Sequence, residues 1–171
     1  VSREQRSNAK TVNFGIIYGV SAFGLSNQTN LSRSESKNLI ESYFTAYPKL
    51  KKYISSQINF ARENGYVETI LGRKRYLMDI NSRNHIVRGG AERNAINAPI
   101  QGSAADIIKL AMVKIYNRMK NNQFKSKMLV QVHDELIFEI YKPELQEMKK
   151  LIKVEMENAY SLNVPLVVDI G

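Results

Sequence analysis

The sequence predicts an α+β protein: a helix-rich first half, then a small antiparallel sheet with packed helices. Three observations carry this. Apolar residues recur at three- and four-residue spacing through most of residues 3–64, and again over 86–120 and 143–159. Two stretches, 66–78 and 127–140, read instead as pairs of short strands about a turn. No internal repeat or low-complexity segment interrupts the alternation.

The first predicted helix spans residues 3–20. Arg6, Lys10, Phe14 and Tyr18 follow one another at steps of four. Each step drifts only about 40°, so they form one winding stripe with cations at one end and rings at the other. Ala9, Val12, Ile16 and Val20 share a neighbouring face and are expected to pack inward. A stripe of this kind suits a nucleoside triphosphate, with phosphates on Arg6 and Lys10 and base or sugar on the rings. An ordinary basic amphipathic helix has the same spacing. Gly15 and Gly19 would let a ligand or second helix approach.

Ser21–Leu31 reads as a short helix and a loop. Ser32 and Glu35 have capping-box spacing and open a helix with Leu39, Ile40, Tyr43, Phe44 and Tyr47 on one side. Pro48 suits the first turn of the next helix, which carries Leu50, Tyr53, Ile54, Ile58 and Ala61 and ends at Gly65. The rings of these two helices are expected in the core. A hairpin follows about Gly72, with Arg73, Lys74 and Arg75 on its tip and return strand. Three adjacent cations are usually a solvated turn; contact with nucleic-acid phosphates is the other reading.

Residues 86–98 form the next predicted helix, with Arg93, Asn97 and Gln101 recurring at steps of four. Such a row can reach the minor-groove acceptors present in every base pair; it can also be a plain polar helix face. Pro99 is expected to kink or interrupt the helix, and Ser103 to Asp106 to cap a new one running to about Lys120. In 127–140, two apolar strands meet at His133-Asp134-Glu135. A hairpin would put those charges at its tip, where hard carboxylate oxygens suit Mg²⁺. Successive strand residues face opposite ways, so Asp134 and Glu135 cannot both aim squarely at one ion unless the turn twists them. A two-metal site would need a carboxylate from elsewhere. A last helix opens at Pro143, and Asn163–Gly171 is expected to end in a strand.

The chain of 171 residues has a net charge of +9. Residues 1–126 carry 20 Lys/Arg and 8 Asp/Glu, whereas 127–171 carry 5 and 8, so the two stretches hold +12 and −3. A basic stretch beside an acidic one fits nucleic-acid binding next to a metal site. There is no cysteine, which excludes disulfides and thiolate metal sites. No apolar run approaches the length of a membrane span, and no signal peptide is visible.

Three segments, taken together, resemble family A DNA polymerases, the bacterial DNA polymerase I type. Arg6-x-x-x-Lys10-x-x-x-Phe14-Gly-x-x-Tyr18-Gly resembles motif B of that family. Ala91 to Asp106 resembles the segment that touches the primer–template duplex, and Val132-His133-Asp134-Glu135 resembles motif C. The resemblance implies that residues 1–85 are fingers and 86–171 the C-terminal part of the palm. Arg6 and Lys10 would contact deoxynucleoside triphosphate, Lys10 also as a candidate acid for the leaving pyrophosphate, with Phe14 and Tyr18 on sugar and base. Arg93, Asn97, Gln101 and His133, joined by Arg73, Lys74 and Arg75, would hold primer–template DNA. Asp134 would ligate Mg²⁺, and Glu135 would assist. The family's motif A, with its metal-binding Asp, precedes motif B and is not found here. The chain is therefore expected to be a fragment, inactive alone, of a monomeric DNA-directed DNA polymerase acting in replication and repair in a bacterial cytoplasm. Three alternatives remain: a non-catalytic nucleic-acid-binding module, a metal phosphohydrolase using His133 and Asp134, and a fragment of a single-subunit RNA polymerase.

Overall fold

The computed structural model describes residues 2–171, with every side chain among them except those of Glu4, Gln5 and Asn8. Helices predominate, and two separate two-stranded antiparallel sheets make up the strand content, so the fold is α+β. Two compact units are present, residues 1–100 and 101–171, with the boundary inside a helix.

In the first unit, α1 (Arg3–Ile17) ends in a Schellman motif. The Val20 N–H donates to the Gly15 carbonyl at 2.8 Å and the Gly19 N–H to Ile16 at 3.0 Å, with Gly19 at φ 76°. The helix is thus shorter than the predicted 3–20, and Tyr18 sits at its C-cap. Ile16 is buried, Val12 and Val20 are half-buried, and Ala9 is exposed, contrary to the expected inward face. Among its described residues, α1 buries only Ile16, at its C-terminal end.

α2 (Ala22–Gln28) is capped by Ser21, whose hydroxyl accepts from the Gly24 N–H at 3.1 Å, and it buries Leu25. The capping box of α3 (Arg33–Ala46) forms as expected, with Glu35 N–H to Ser32 Oγ at 3.2 Å and Ser32 N–H to Glu35 Oε2 at 2.8 Å. The Tyr43 hydroxyl donates to Asn13 Oδ1 and ties α3 to α1. α4 (Pro48–Asn64) starts on Pro48 and stops at Gly65, φ 78°. The expected aromatic core is looser than predicted: Tyr43, Phe44 and Tyr53 are half-buried, and Tyr47 is 56% exposed. Tyr47 lies at the junction of α3 and α4, closing one helix and opening the next.

β1 (Tyr66–Glu68) and β2 (Lys74–Tyr76) pair with Tyr66 opposite Tyr76, Val67 opposite Arg75 and Glu68 opposite Lys74. Val67 reaches the core with Ala61, Leu77, Ile80, Ala91 and Ala95. Ala91 and Ala95 belong to α5 (His85–Asn121). Their packing against the hairpin explains why the first compact unit extends past residue 85.

α5 corrects the sequence reading. Pro99 lies inside one 37-residue helix and does not interrupt it, and Ser103 to Asp106 fall within that helix rather than at the start of a new one. An interior proline costs about 3 kcal/mol. Burial of Ala95 and Ile96 before it, and of Ile108, Ala111 and Ile115 after it, offsets that cost.

The second unit contains β3 (Lys127–Val132), β4 (Glu135–Glu139), a 3₁₀ turn at Lys142–Glu144 and α6 (Leu145–Glu157). Its core joins Ile115 and Met119 of α5 to Met148, Leu151 and Ile152 of α6, with Leu136 and Phe138 of β4 packed on it. The Lys114 ammonium donates to the Asn158 and Ala159 carbonyls at 2.9 and 3.0 Å, capping the end of α6. The predicted C-terminal strand is absent: 163–171 is irregular, with Val168 N–H bonded to Glu157 Oε1 at 3.2 Å. A strand exists through pairing with a neighbour, and neither sheet extends to this segment.

Candidate nucleotide and nucleic-acid interface

In the first unit, the stripe on α1 opens into a concavity of about 650 Å³. Lys10, Phe14 and Tyr18 line it, with Thr11, Ser21 and Gln28 around them. The Phe14 and Tyr18 rings stand 6.2 Å apart and 18° from parallel, a stacked pair at one end of the wall. Phe14 is half exposed, so its ring is open to a ligand. Arg6 is exposed one turn before Lys10 and does not line the concavity.

Arg93 of α5 also lines this wall, which the sequence reading had placed only in a DNA-contacting row. Gly19 explains the encounter. A Cβ there would lie 3.1 Å from Ile96 Cδ1 and 3.7 Å from Arg93 Cγ, so the absent side chain lets the end of α1 meet α5. The expectation that Gly19 admits a second helix pointed this way without naming Arg93. Thr11 and Gln28 had no signal in the sequence. Glu92, next to Arg93, is engaged by Arg62 at 2.6 Å and Arg88 at 3.7 Å. Further along α5, Asn97 is half-buried with its Oδ1 making no hydrogen bond, and Gln101 is exposed.

The cations of the β1–β2 hairpin differ from one another. Lys74 lies 4.1 Å from the Tyr66 ring centroid and 3.8 Å from Glu68. Its hydrogen bond to Tyr66 is the main reason its pKa is raised. Arg73 closes the turn through backbone bonds with Thr69, and Arg75 is exposed beside the buried Val67.

In the second unit, His133 and Asp134 form the two-residue turn between Val132 and Glu135. His133 adopts φ 53°, a left-handed conformation uncommon outside glycine. Gln131 Nε2 donates to the His133 carbonyl at 2.9 Å and fastens the turn. Leu129 forms a bulge, so Met128 and Gln131 are both half-buried although three residues apart. Val130, Val132, Glu135 and Ile137 share the opposite, exposed face. Asp134 and Glu135 are exposed and border a groove of about 690 Å³ that Lys149 and Asp169 also line. Among the described residues, no three His, Asp or Glu side chains stand together as a metal-binding set. The donors are chemically right for Mg²⁺ but insufficient by themselves to enclose it.

At the other end of β3, Glu144 accepts from the Lys125 and Ser126 N–H groups, both at 2.9 Å, and from Ser126 Oγ at 2.7 Å. Ser126 Oγ in turn accepts from the Tyr141 N–H at 3.1 Å. Burial alone would push the Glu144 carboxyl up; these bonds outweigh it and hold its pKa below the ordinary value.

The chain is thus an α+β protein with a wall of cations and rings in its first unit and a carboxylate-tipped hairpin in its second. A sequence model of DNA polymerase family A matches residues 1–171, and the chain belongs to that family. It is 53% identical over 170 residues to DNA polymerase I of Caldicellulosiruptor bescii and 53% identical over 169 residues to that of Streptococcus pneumoniae. Each alignment takes in 99% of this chain, which spans about a fifth of each relative's length (20% and 19%). The polymerase domain of Pol1 from M. smegmatis, solved in complex with DNA primer-template and dNTP, superposes with a TM-score of 0.92 at 45% identity. That match covers 97% of this chain and 29% of the M. smegmatis chain. No described helix is long and apolar enough to cross a membrane.

Proposed function

We propose that this chain serves a DNA-directed DNA polymerase that adds deoxynucleotides to a primer 3′ end in bacterial replication and repair. Residues 1–85 act as fingers and 86–171 as the C-terminal part of the palm, in a monomeric cytoplasmic enzyme. The observation that carries this reading is the shared wall of Lys10, Phe14 and Tyr18 with Arg93. It offers cations to a triphosphate and ring faces to a sugar and base. The M. smegmatis relative bound to primer-template and dNTP supports the same partners.

In this reading, Arg6 and Lys10 hold the phosphates. Charge grows on the pyrophosphate as it leaves, and a preorganised cation at Lys10 favours the transition state over the ground state. Lys10 also protonates the leaving group. Phe14 and Tyr18 hold sugar and base. Asn97, Gln101, His133, Arg73, Lys74 and Arg75 join Arg93 on the primer–template, and Lys74 does so from a position already set by Tyr66. Polymerases of this family use divalent metal. Asp134 is the residue here that would ligate Mg²⁺, with Glu135 assisting and further ligands coming from outside this chain. The chain alone therefore gives no primer extension.

Single-turnover incorporation on one primer–template tests this in the intact polymerase. Lys10→Ala should slow incorporation by about a hundredfold or more while leaving duplex affinity unchanged. Lys10→Arg should keep nucleotide affinity better than rate, since guanidinium replaces the charge but not the proton. An unchanged rate in Lys10→Ala would overturn the assignment.

A further inference from the structure

We propose that the recess behind the α1–α2 turn is a binding site for a small, uncharged aromatic molecule of one or two rings. The recess measures about 360 Å³ and lies wholly within the first unit. Four helices line it: α1 through Ile16, α3 through Ile40 and Phe44, α4 through Ile54 and Ile58, and α5 through Ile96. Ile40 and Phe44 stand four residues apart, as do Ile54 and Ile58, so each pair shares one helix face. Ile16 and Ile96 are buried, whereas the four residues from α3 and α4 are only half-buried. Two amphipathic faces thus border a gap.

Size and chemistry select the occupant. Small-molecule sites run from roughly 300 to 1,000 Å³ and are mostly apolar with a few polar groups. This volume stands near the lower end of that range, with room for one or two rings. A charged body would lose its hydration against six hydrocarbon side chains that offer no partner. Apolar spaces of this kind take up benzene-like molecules rather than water. The polar groups of the lining are Ser21, Glu92 and Arg93. Ser21 Oγ accepts from the Gly24 N–H, and Glu92 is engaged by Arg62 and Arg88. Arg93 adds a preference for a ring over an alkyl chain, because guanidinium packs on aromatic faces.

The recess and the α1 concavity share the turn between them. Gly19, Val20, Ser21 and Arg93 line both. The Gly19 and Val20 N–H groups are the two that close the Schellman motif. A ligand in the recess binds while that turn is formed, and so holds it formed by mass action. The site does not depend on the polymerase reading.

Indole is the probe. Titrated into the intact protein with its isoleucine δ1 methyls labelled for NMR, it should shift Ile16, Ile40, Ile54, Ile58 and Ile96 saturably. The Kd should be on the order of 1 mM or below, and Ile115 and Ile137 of the second unit should stay in place. At about ten times that Kd, exchange of the Gly19 and Val20 amides should slow about tenfold. Gly89 lines the recess, and a Cβ there would meet nothing closer than Arg93 Nη1 at 3.8 Å. Gly89→Leu should fill the space and weaken indole binding about tenfold or more, and Ile58→Phe should do the same from α4. Gly90→Ala, a helix-favouring change outside the lining, should bind like wild type. A thermal melt identifies the variants that fold. No saturable shift, shifts spread evenly over both units, wild-type affinity in a folded filled variant, or unchanged exchange at Gly19 and Val20 would each overturn the site and leave the polymerase reading standing.

Discussion

Helix α1 and the carboxylate-tipped β3–β4 hairpin are held by opposite means. α1 presents Arg6, Lys10 and Phe14 to solvent and buries Ile16 alone of its described residues. Its described anchors lie toward its C-terminal end: a Schellman motif and the Tyr43 hydroxyl on Asn13. The β3–β4 hairpin is backed by Leu136 and Phe138 on the α5–α6 core, fastened at its tip by Gln131 and stapled at its base by Glu144. A helix anchored at one end can swing; a hairpin fixed at both ends cannot. Side chains on the first can shift together, and those on the second keep their place.

Hydrogen exchange would break this comparison most directly. Opening free energies within one protein run from near zero to the global value, so α1 amides should exchange on the order of a hundredfold or more faster than β3–β4 cross-strand amides. Equal protection would dissolve the distinction. Next in size, Met148→Ala removes a fully buried side chain behind the hairpin. It should lower unfolding stability by about 2–5 kcal/mol, read by denaturant titration. Gly19→Ala should cost about 1–2 kcal/mol for its left-handed φ, plus the push against Ile96, and should loosen α1 without touching the hairpin.

The base staple makes a pH prediction. Glu144 has a depressed folded pKa, so its contribution is present above the ordinary carboxylate range and is lost as pH falls through the folded value. Thermal melts of the wild type should show this acid-side loss, and Glu144→Gln should lack that component while starting less stable at neutral pH. The smallest effect has the opposite sign. A Cβ at Gly89 or Gly90 would meet nothing closer than Arg93 guanidinium nitrogens at 3.8 and 4.0 Å. Gly89→Ala or Gly90→Ala should therefore stabilise α5 by roughly 0.5–1 kcal/mol.

Much of this was legible in the sequence because the signals are local. The Ser32–Glu35 capping box, Pro48, Gly65 and the hairpin about Gly72 each act over a few residues, and each formed. The stripe from Lys10 to Tyr18 needed only helical spacing. Long-range packing was not legible. The strength of Pro99 as a breaker depended on what the flanking turns bury, and the last strand depended on a partner. Arg93 reached the α1 wall through the contact of Gly19 with Ile96, which spacing does not encode. The bulge at Leu129 likewise shifts the alternation within β3, and only cross-strand pairing reveals it.

That bulge has a practical consequence. By turning Val130 and Val132 away from the core, it gives the hairpin a second apolar side, completed by Leu129 and Ile137, each between 42% and 57% exposed. Among the described residues no third strand pairs with either edge. Oily strands with free edges are sticky toward their own kind. A concentrated solution of this chain should therefore associate through residues 127–139 despite its +9 charge, and a lysine in place of Val130 should keep it dispersed.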